Sequence, residues 1–241
     1  MIVIILAAGK GQRLYPYTKN KPKCMVAYKR KSIISHQLNI FRKTHIKKIY
    51  LVSGYKSSKI KFKQIIKKKN FDYENSNMVY SLFKFANLFN GKKDIIISYG
   101  DIIFKKNVLL KLINEKNDLS TIIDLNWLIY WKKRFANPLT DAESLKTDNK
   151  NFVTEIGKKT KYYKDIKGQY IGLTKIKKEI SKKVLRIWNS LIRKHNKNQI
   201  KNLYFTDFLG ILIKNKIKLK AVYVKRGWLE FDQPNDLNIK L

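Results

Sequence analysis

Residues 2–11 read Ile-Val-Ile-Ile-Leu-Ala-Ala-Gly-Lys-Gly. Ile2 to Leu6 is an unbroken apolar run, the pattern of a strand covered on both faces in the middle of a parallel sheet. It leads into a turn with almost no side chains: Ala7, Ala8, Gly9 and Gly11. Bare backbone lets a ligand approach closely, and glycine takes positive φ at little steric cost. Arg13 and Lys23 follow where that ligand's charge would sit. A small-residue turn at a strand end, backed by fixed cations, is a way to hold a polyphosphate. Two look-alikes are excluded. No Gly-Lys-Ser/Thr closes the turn as in a P-loop, and the third glycine of a dinucleotide fingerprint would fall on Leu14.

With 241 residues the chain can bury one good core, and 44% hydrophobic residues with 12% aromatics rule out a disordered chain. No apolar run approaches the roughly 20 residues needed to span a bilayer, so no membrane insertion is expected. The first apolar stretch is too short for a secretory signal and no basic segment precedes it. Cys24 is the sole cysteine, and His36, His45 and His195 are scattered, so neither a disulfide framework nor a Cys/His zinc site is expected. A reducing cytoplasm fits these features. The formal charge of +36 first suggests nucleic acid. Against that, only seven of the 53 cations are arginine, and the lysines are spread along the chain. Specific readout favours the planar arginine fork, so no specific nucleic-acid partner is expected. The lysines still create a field that attracts a nucleotide, more weakly as salt rises. With only 17 acids, each acid's position is informative. Asp101, Asp141, Glu143, Glu155, Glu230, Asp232 and Asp236 stand out.

Ser32 is placed to cap a helix carrying Ile34, Leu38 and Phe41 on one face. Lys48–Ser53 reads as a second strand ending at Gly54, and the basic stretch that follows, to Lys69, as a solvated helix. Asn77 can cap a helix with Met78, Leu82, Phe85 and Phe89 on one face, and Asp94–Ser98 is another strand, ending at Tyr99-Gly100-Asp101. Strands alternating with helices predict a parallel α/β sheet with helices on both faces, and ligands bind such sheets beyond the strands' carboxyl ends. In the second half, 119–125, 152–156, 169–173 and 218–224 read as strands, and 177–195 and 206–214 as helices. These are expected to complete the sheet and build an acceptor lobe.

Leu-x-Ala-Gly-x-Gly-x-Arg-Leu over residues 6–14, followed by Lys21-Pro22-Lys23, resembles the nucleotidyltransferase family, which joins an NTP to a sugar phosphate or small phospho-alcohol. Arg13, Pro16 and Lys23 keep that family's spacing from the glycines, and the likeness extends over nearly the whole chain. It implies a Rossmann-like three-layer α/β/α fold with a mostly parallel mixed sheet, the nucleotide-diphospho-sugar transferase fold. It also implies one domain over residues 1–241, with a nucleotide-binding half at about 1–118 and an acceptor-binding half at about 119–241. By position, Leu6, Ala7, Ala8, Gly9 and Gly11 would bind the nucleotide, with Gly54, Asn77, Ser81, Tyr99 and Gly100 beside them. Arg13 would hold the β- and γ-phosphates, and Lys23 would sit near the α-phosphate and the entering oxygen. Asp101 and Asp232 would hold Mg2+, which takes one or two carboxylates plus phosphate oxygens. In the alternating run Gly227–Asp232, Glu230 and Asp232 lie two apart and would face one side of a strand.

Glu74-Asn75-Ser76-Asn77-Met78-Val79-Tyr80-Ser81-Leu82 looks like the phosphocholine and aminoalkylphosphonate cytidylyltransferase branch. Trp131 through Arg134, Asn137-Pro138 and Asp141-Ala142-Glu143 are similar to uncharacterised cytidylyltransferase-type proteins and to relatives that activate phosphoglutamine for capsule decoration. The C-terminal β-helix of some sugar enzymes is not expected. Glu155-Ile156-Gly157-Lys158, however, sits where sugar enzymes place a Glu-Lys pair for the acceptor. Trp127, Tyr130, Trp131, Tyr170 and Trp228 are candidate aromatic walls, with Asp141, Glu143 and Glu230 as candidate partners for an ammonium group. The acceptor set is then Trp131, Glu143, Glu155, Lys158, Tyr170 and Glu230. The expected activity is magnesium-dependent transfer of CMP from CTP to a small phosphate or phosphonate acceptor, releasing pyrophosphate, for surface polysaccharide or lipid decoration. The expected partners are CTP and that acceptor, and a homodimer is left open. Two alternatives stand beside this activity: a sugar-1-phosphate nucleotidyltransferase making an NDP-sugar, and a non-catalytic basic RNA-binding protein.

Overall fold

In the computed structural model, which describes residues 1–241, the opening apolar run is strand β1 (Ile2–Ala7), buried along its whole length. In chain order there follow β2 (Ala27–Tyr28), β3 (Lys31–Ser32), α1 (Ile33–Lys43), β4 (Ile49–Ser53), β5 (Ile65–Lys69) and α2 (Met78–Leu82). Next come β6 (Ile95–Tyr99), β7 (Ile102–Phe104), α3 (Lys106–Asn114), β8 (Leu119–Asp124), α4 (Trp127–Arg134), β9 (Glu143–Thr147) and β10 (Val153–Lys159). The chain closes with β11 (Gln169–Ile176), α5 (Lys178–Lys194), α6 (Lys197–Lys201), α7 (Phe205–Lys214), β12 (Leu219–Val224) and β13 (Trp228–Glu230).

Seven strands form one mixed sheet in the order β12-β8-β11-β6-β1-β4-β5. Only β11 runs antiparallel to its neighbours, β6 and β8; the other pairings are parallel. Residues alternate faces along a strand, and β1 divides its side chains between two cores. Val3 and Ile5 pack with Ile34, Leu38 and Phe41 of α1, Leu109 of α3 and Tyr130 of α4. Ile2, Ile4 and Leu6 pack with Leu82 of α2, Trp188 of α5 and Phe208 and Leu212 of α7. The result is three layers, helix on sheet on helix, in which each fully buried aliphatic or aromatic side chain contributes roughly 1.5–3 kcal/mol.

The caps at Ser32 and Asn77 form as the sequence predicts, accepting from the N–H groups of Ser35 and Met78. Two elements differ. The basic stretch to Lys69 is not a helix: a short 3-10 turn at Ser57–Lys59 leads to β5, which pairs parallel with β4 at the sheet edge. The open edge of β4 supplies backbone hydrogen bonds that outweigh local helix preference, and lysines are suited to an edge that must not pair further. The helix from Asn77 is short. After Leu82 it tightens into a 3-10 segment, Phe83–Leu88, and the backbone leaves helical values at Phe85 (φ −108, ψ 36). Phe83 and Phe85 are both buried, yet two residues apart on an α-helix point to nearly opposite sides, so burying both requires the kink.

A second small sheet positions the site. β7 begins one residue after Asp101, and β13 ends two residues before Asp232. The two strands pair antiparallel with Ile102 opposite Glu230, and the Phe231 N–H donates to the Asp101 carbonyl at 2.9 Å. Acids distant in sequence thereby lie side by side. No helix is long and apolar enough to cross a membrane.

Candidate active site

At the carboxyl ends of β1 and β6 lies a cavity of about 190 Å³. Leu6, Ala7, Ala8, Gly9 and Gly11 form one wall, and Asn77, Ser81, Tyr99, Gly100 and Asp101 the other. Gly11 adopts φ +67, and a Cβ there would lie 3.0 Å from the Lys23 Cβ. Gly100 is needed for a different reason: a Cβ would sit 2.7 Å from the Ala7 Cβ and 2.8 Å from the Leu6 carbonyl oxygen. Gly54 does not line the cavity. It backs the turn from outside, where a Cβ would lie 2.4 Å from the Ala8 carbonyl oxygen. Gly9 has no atom beyond its own chain neighbours within 4 Å of where its Cβ would be, so its bare face meets open space. Lys10 ties the turn to the 72–77 segment through a 2.6 Å ion pair with Glu74.

Lys23 and Asp101 line this cavity, and Asp232, outside its lining, converges on Lys23 beside Asp101. The Lys23 Nζ lies 2.9 Å from Asp101 Oδ2 and 2.7 Å from Asp232 Oδ1, and Arg13 Nη2 lies 2.9 Å from Asp232 Oδ2. Burial opposes the charge on Lys23, but Asp101 and Asp232 outweigh it and hold the ammonium above the ordinary lysine range. Burial, with Asp101 adding to it, pushes the neighbouring Cys24 thiol up to about 12, so it stays protonated. Asp101 Oδ1 is buried with no hydrogen-bond partner. An orphaned carboxylate oxygen beside a second carboxylate fits a hard divalent cation that takes its remaining ligands from phosphate and water. No group of three or more His, Cys, Asp and Glu side chains forms a complete protein-only metal site.

Both acids are held by residues to which the sequence assigned no such role, although Asp236 stood out there as an acid. Gln37 of α1 is fully buried; its Nε2 donates to the carbonyls of Tyr99 and Ile102 at 2.7 Å each, and its Oε1 accepts from Ser98 at 2.9 Å. It clamps the turn that carries Asp101. Its signal was a polar residue on the apolar face of a helix. Arg134 and Asp236 brace the Asp232 side, with the Asp232 N–H donating to Asp236 Oδ2 at 2.7 Å. Asp124, also missed, is fully buried and accepts from Arg226 and from Trp228 Nε1, pinning the approach to β13.

A second cavity, of about 250 Å³, adjoins the first and shares Met78 and Tyr99 with it. Arg13 lines this second cavity rather than the first. Trp131, Asp141, Glu143, Tyr170 and Glu230 also line it, and Trp131 Nε1 donates to Asp141 Oδ2 at 3.0 Å. The acids differ in state. Glu230 is paired with Arg134 at 2.6 Å, whereas Asp141 and Glu143 have no cationic partner in a chain with 53 cations. Burial raises Glu143, and the nearby Asp207 and Asp141 add to the shift against a hydrogen bond from Thr206.

The other expected acceptor residues lie elsewhere. Glu155 and Lys158 do not line either cavity; they pair with each other at 2.5 Å, and Lys146 approaches Glu155 to 3.8 Å. Ile156 takes the cavity-facing position, and strand alternation turns its neighbour Glu155 away. Trp127 and Tyr130 are core residues outside the cavity lining. Trp228 reaches the cavity wall but is only 1% exposed, its Nε1 already used by Asp124. Glu230 and Asp232 do not share a strand face: β13 ends at Glu230, which turns into the second cavity, while Asp232 reaches Lys23.

The Nucleotidyl transferase family model matches residues 2–134. A CTP:phosphoglutamine cytidylyltransferase of Campylobacter jejuni is 38% identical over 255 aligned residues, covering 100% of this chain and 99% of that protein. A choline-phosphate cytidylyltransferase of Streptococcus pneumoniae is 31% identical over 140 residues, covering 58% of this chain and 50% of that protein. Among solved structures, the Streptococcus pneumoniae CTP:phosphocholine cytidylyltransferase superposes with a TM-score of 0.77 at 19% identity, covering 98% of this chain and 96% of that one. An inositol-1-phosphate CTP transferase from T. maritima gives 0.75 at 19% identity, covering 98% and 90%. At that identity the structural matches establish the fold: the Rossmann-like, mostly parallel mixed sheet of these transferases.

Proposed function

Because the chain belongs to the nucleotidyl transferase family, we propose that it is a cytidylyltransferase, moving CMP from CTP to a small phosphate or phosphonate acceptor that carries a cationic group. The observation that carries this is a pair of adjoining cavities, one walled by backbone and small residues and lined by Lys23 and Asp101, the other by aromatics and carboxylates and lined by Arg13, with Asp232 bonded to both cations. The cytidylyltransferase relatives favour CTP over UTP or dTTP, and the full-length similarity to the phosphoglutamine enzyme favours an amine-bearing acceptor.

Residues about 1–118 hold the nucleotide and about 119–241 most of the acceptor, with Arg13 of the first half reaching into the acceptor cavity. The acceptor lies with its phosphate toward Arg13 and Lys23 and its cationic end toward Glu143 and Asp141, the acids without an internal cationic partner. An ionised acceptor oxygen attacks the α-phosphorus of CTP in line. The new O–P bond forms as the bond to the bridging oxygen breaks, and pyrophosphate leaves with that electron pair. The attacking oxygen is already ionised near neutral pH, so no general base is needed; rate comes from positioning and charge neutralisation. Lys23 and Arg13 exchange their carboxylate contacts for phosphate oxygens. Magnesium, held by Asp101 and Asp232, supplies charge neutralisation for the triphosphate and the departing pyrophosphate when bound. The reaction takes place in the cytoplasm, and its product, CDP-linked from a phosphate or CMP-linked from a phosphonate, serves surface polysaccharide or lipid decoration.

Pyrophosphate release provides the test, with CTP, UTP and dTTP each offered phosphoglutamine, phosphocholine, 2-aminoethylphosphonate and hexose 1-phosphates. The expected result is release from CTP with one of the amine-bearing acceptors. Preference for a hexose 1-phosphate would replace this function with NDP-sugar synthesis, and salt-sensitive RNA binding without turnover would remove catalysis altogether. The Glu155–Lys158 pair, which kept a sugar acceptor open, lies outside the cavity.

A further inference from the structure

We propose that Arg134 is a positioning residue that sets the placement of Asp232 and links it to the acceptor cavity; the inference rests on the cytidylyltransferase assignment. The Arg134 side chain is 1% exposed. Its Nε donates to Asp236 Oδ1 at 2.9 Å and its Nη2 to Asp236 Oδ2 at 3.3 Å, while Nη1 donates to Glu230 Oε2 at 2.6 Å. Asp236 Oδ2 in turn accepts from the backbone N–H groups of Asp232 and Gln233 at 2.7 and 2.9 Å. One guanidinium therefore holds a cavity-lining carboxylate with one edge and the brace of the Asp232 backbone with the other. Tyr130, on the same helix, secures the segment at Glu230: its hydroxyl donates to the Glu230 carbonyl at 3.1 Å and accepts from the Glu230 N–H at 2.9 Å.

A purely structural ion pair would not need this connectivity. The planar fork spans two carboxylates at fixed angles, and lysine cannot reproduce that. Both acids bound by Arg134 flank Asp232, two residues before it and four after it. Outer residues that orient a ligating group typically change metal affinity or activity about 10- to 100-fold when removed. The same arginine is seated under aromatic rings of α4, with its guanidinium carbon 5.3 Å from the centroids of both Tyr130 and Trp131. Trp131 itself lines the acceptor cavity, so acceptor contacts at Trp131 and Glu230 both bear on this one side chain.

Mn2+ binding to the full chain in the presence of CTP, followed by electron paramagnetic resonance, tests the role without requiring an acceptor. Arg134→Met is expected to weaken Mn2+ binding about 10- to 100-fold, with Arg134→Lys and Asp236→Asn showing smaller losses in protein that melts as a folded species. Wild-type Mn2+ affinity in folded Arg134→Met would overturn the proposal. If Arg134→Met does not fold, Arg134→Lys decides: a lowered melting temperature with unchanged Mn2+ affinity would reduce Arg134 to a stability element. Wild-type protein that binds Mn2+ with CTP but turns over no acceptor would challenge the assigned reaction and leave this inference readable.

Discussion

The two cavities that adjoin at Met78 and Tyr99 are built in opposite ways. The nucleotide cavity is shaped by backbone at the ends of adjacent parallel strands, where Gly54 and Gly100 let neighbouring chain segments touch the turn after β1. The acceptor cavity is shaped by side chains gathered from α4, β9, β11, α7 and β13, oriented by bonds such as Trp131 to Asp141 and Gln169 to the backbone of Glu143. Backbone recognition is hard to alter without damaging the fold, whereas side-chain recognition can change one residue at a time. One sheet can therefore keep a common phosphoryl chemistry while its acceptor varies. Substitutions on the two sides should separate in kinetics as well.

The largest effect is expected at the cation between the two aspartates. Lys23→Met removes the one ammonium that contacts both Asp101 and Asp232, and should lower kcat with both substrates saturating by about 10²–10³, roughly 2.7–4 kcal/mol. A change confined to the KM for CTP would break the comparison, because Lys23 would then belong to the nucleotide side alone. Next comes Glu143→Gln. Losing a charged hydrogen-bond partner costs about 1.5–3 kcal/mol, so the KM for an amine-bearing acceptor should rise at least tenfold while the KM for CTP stays put. Only ionised Glu143 attracts a cation, and burial raises its pKa. Acidification should therefore weaken acceptor binding beginning above the ordinary glutamate range, and Glu143→Gln should flatten that pH dependence. Gly100→Ala tests the backbone side: overpacking against Ala7 and Leu6 should cost about 1–3 kcal/mol, read as a lower Tm with a raised KM for CTP. Unchanged CTP binding in this variant would mean the turn is not held as tightly as the packing implies.

The same contrast explains what the sequence disclosed. The lining of the first cavity was legible because its determinants are local: an apolar run, bare residues and the glycines at two strand ends lie within short segments. The β1–β4–β6 core and the caps at Ser32 and Asn77 were legible for the same reason. Asp101 and Asp232 could be paired only through the family resemblance, since the β7–β13 ladder that unites them is a short, long-range pairing. Gln37, Arg134, Asp124 and Asp236 were missed as supports because their roles exist only in three dimensions, as buried polar groups whose partners come from distant segments. The β5 edge was misread because lysine-rich sequence fits a solvated helix and a solvated edge strand equally well, and only the presence of β4 decides between them.

Glu155 and Lys158 give the smallest expected effect and the sharpest check on where the acceptor side ends. Sequence position alone put them at the acceptor, but their side chains pair with each other outside the cavity that Ile156 lines, with Lys158 70% exposed. An exposed pair of long side chains gains little in water, because ordering them and salt screening offset the attraction. Glu155→Gln and Lys158→Ala should each leave the KM for both substrates unchanged and move Tm by no more than about 2–4 °C. A selective rise in acceptor KM in either variant would mean that β10 turns during catalysis and brings this pair inward. The acceptor cavity would then be larger than its walls imply, and a sugar phosphate would return as a fitting substrate.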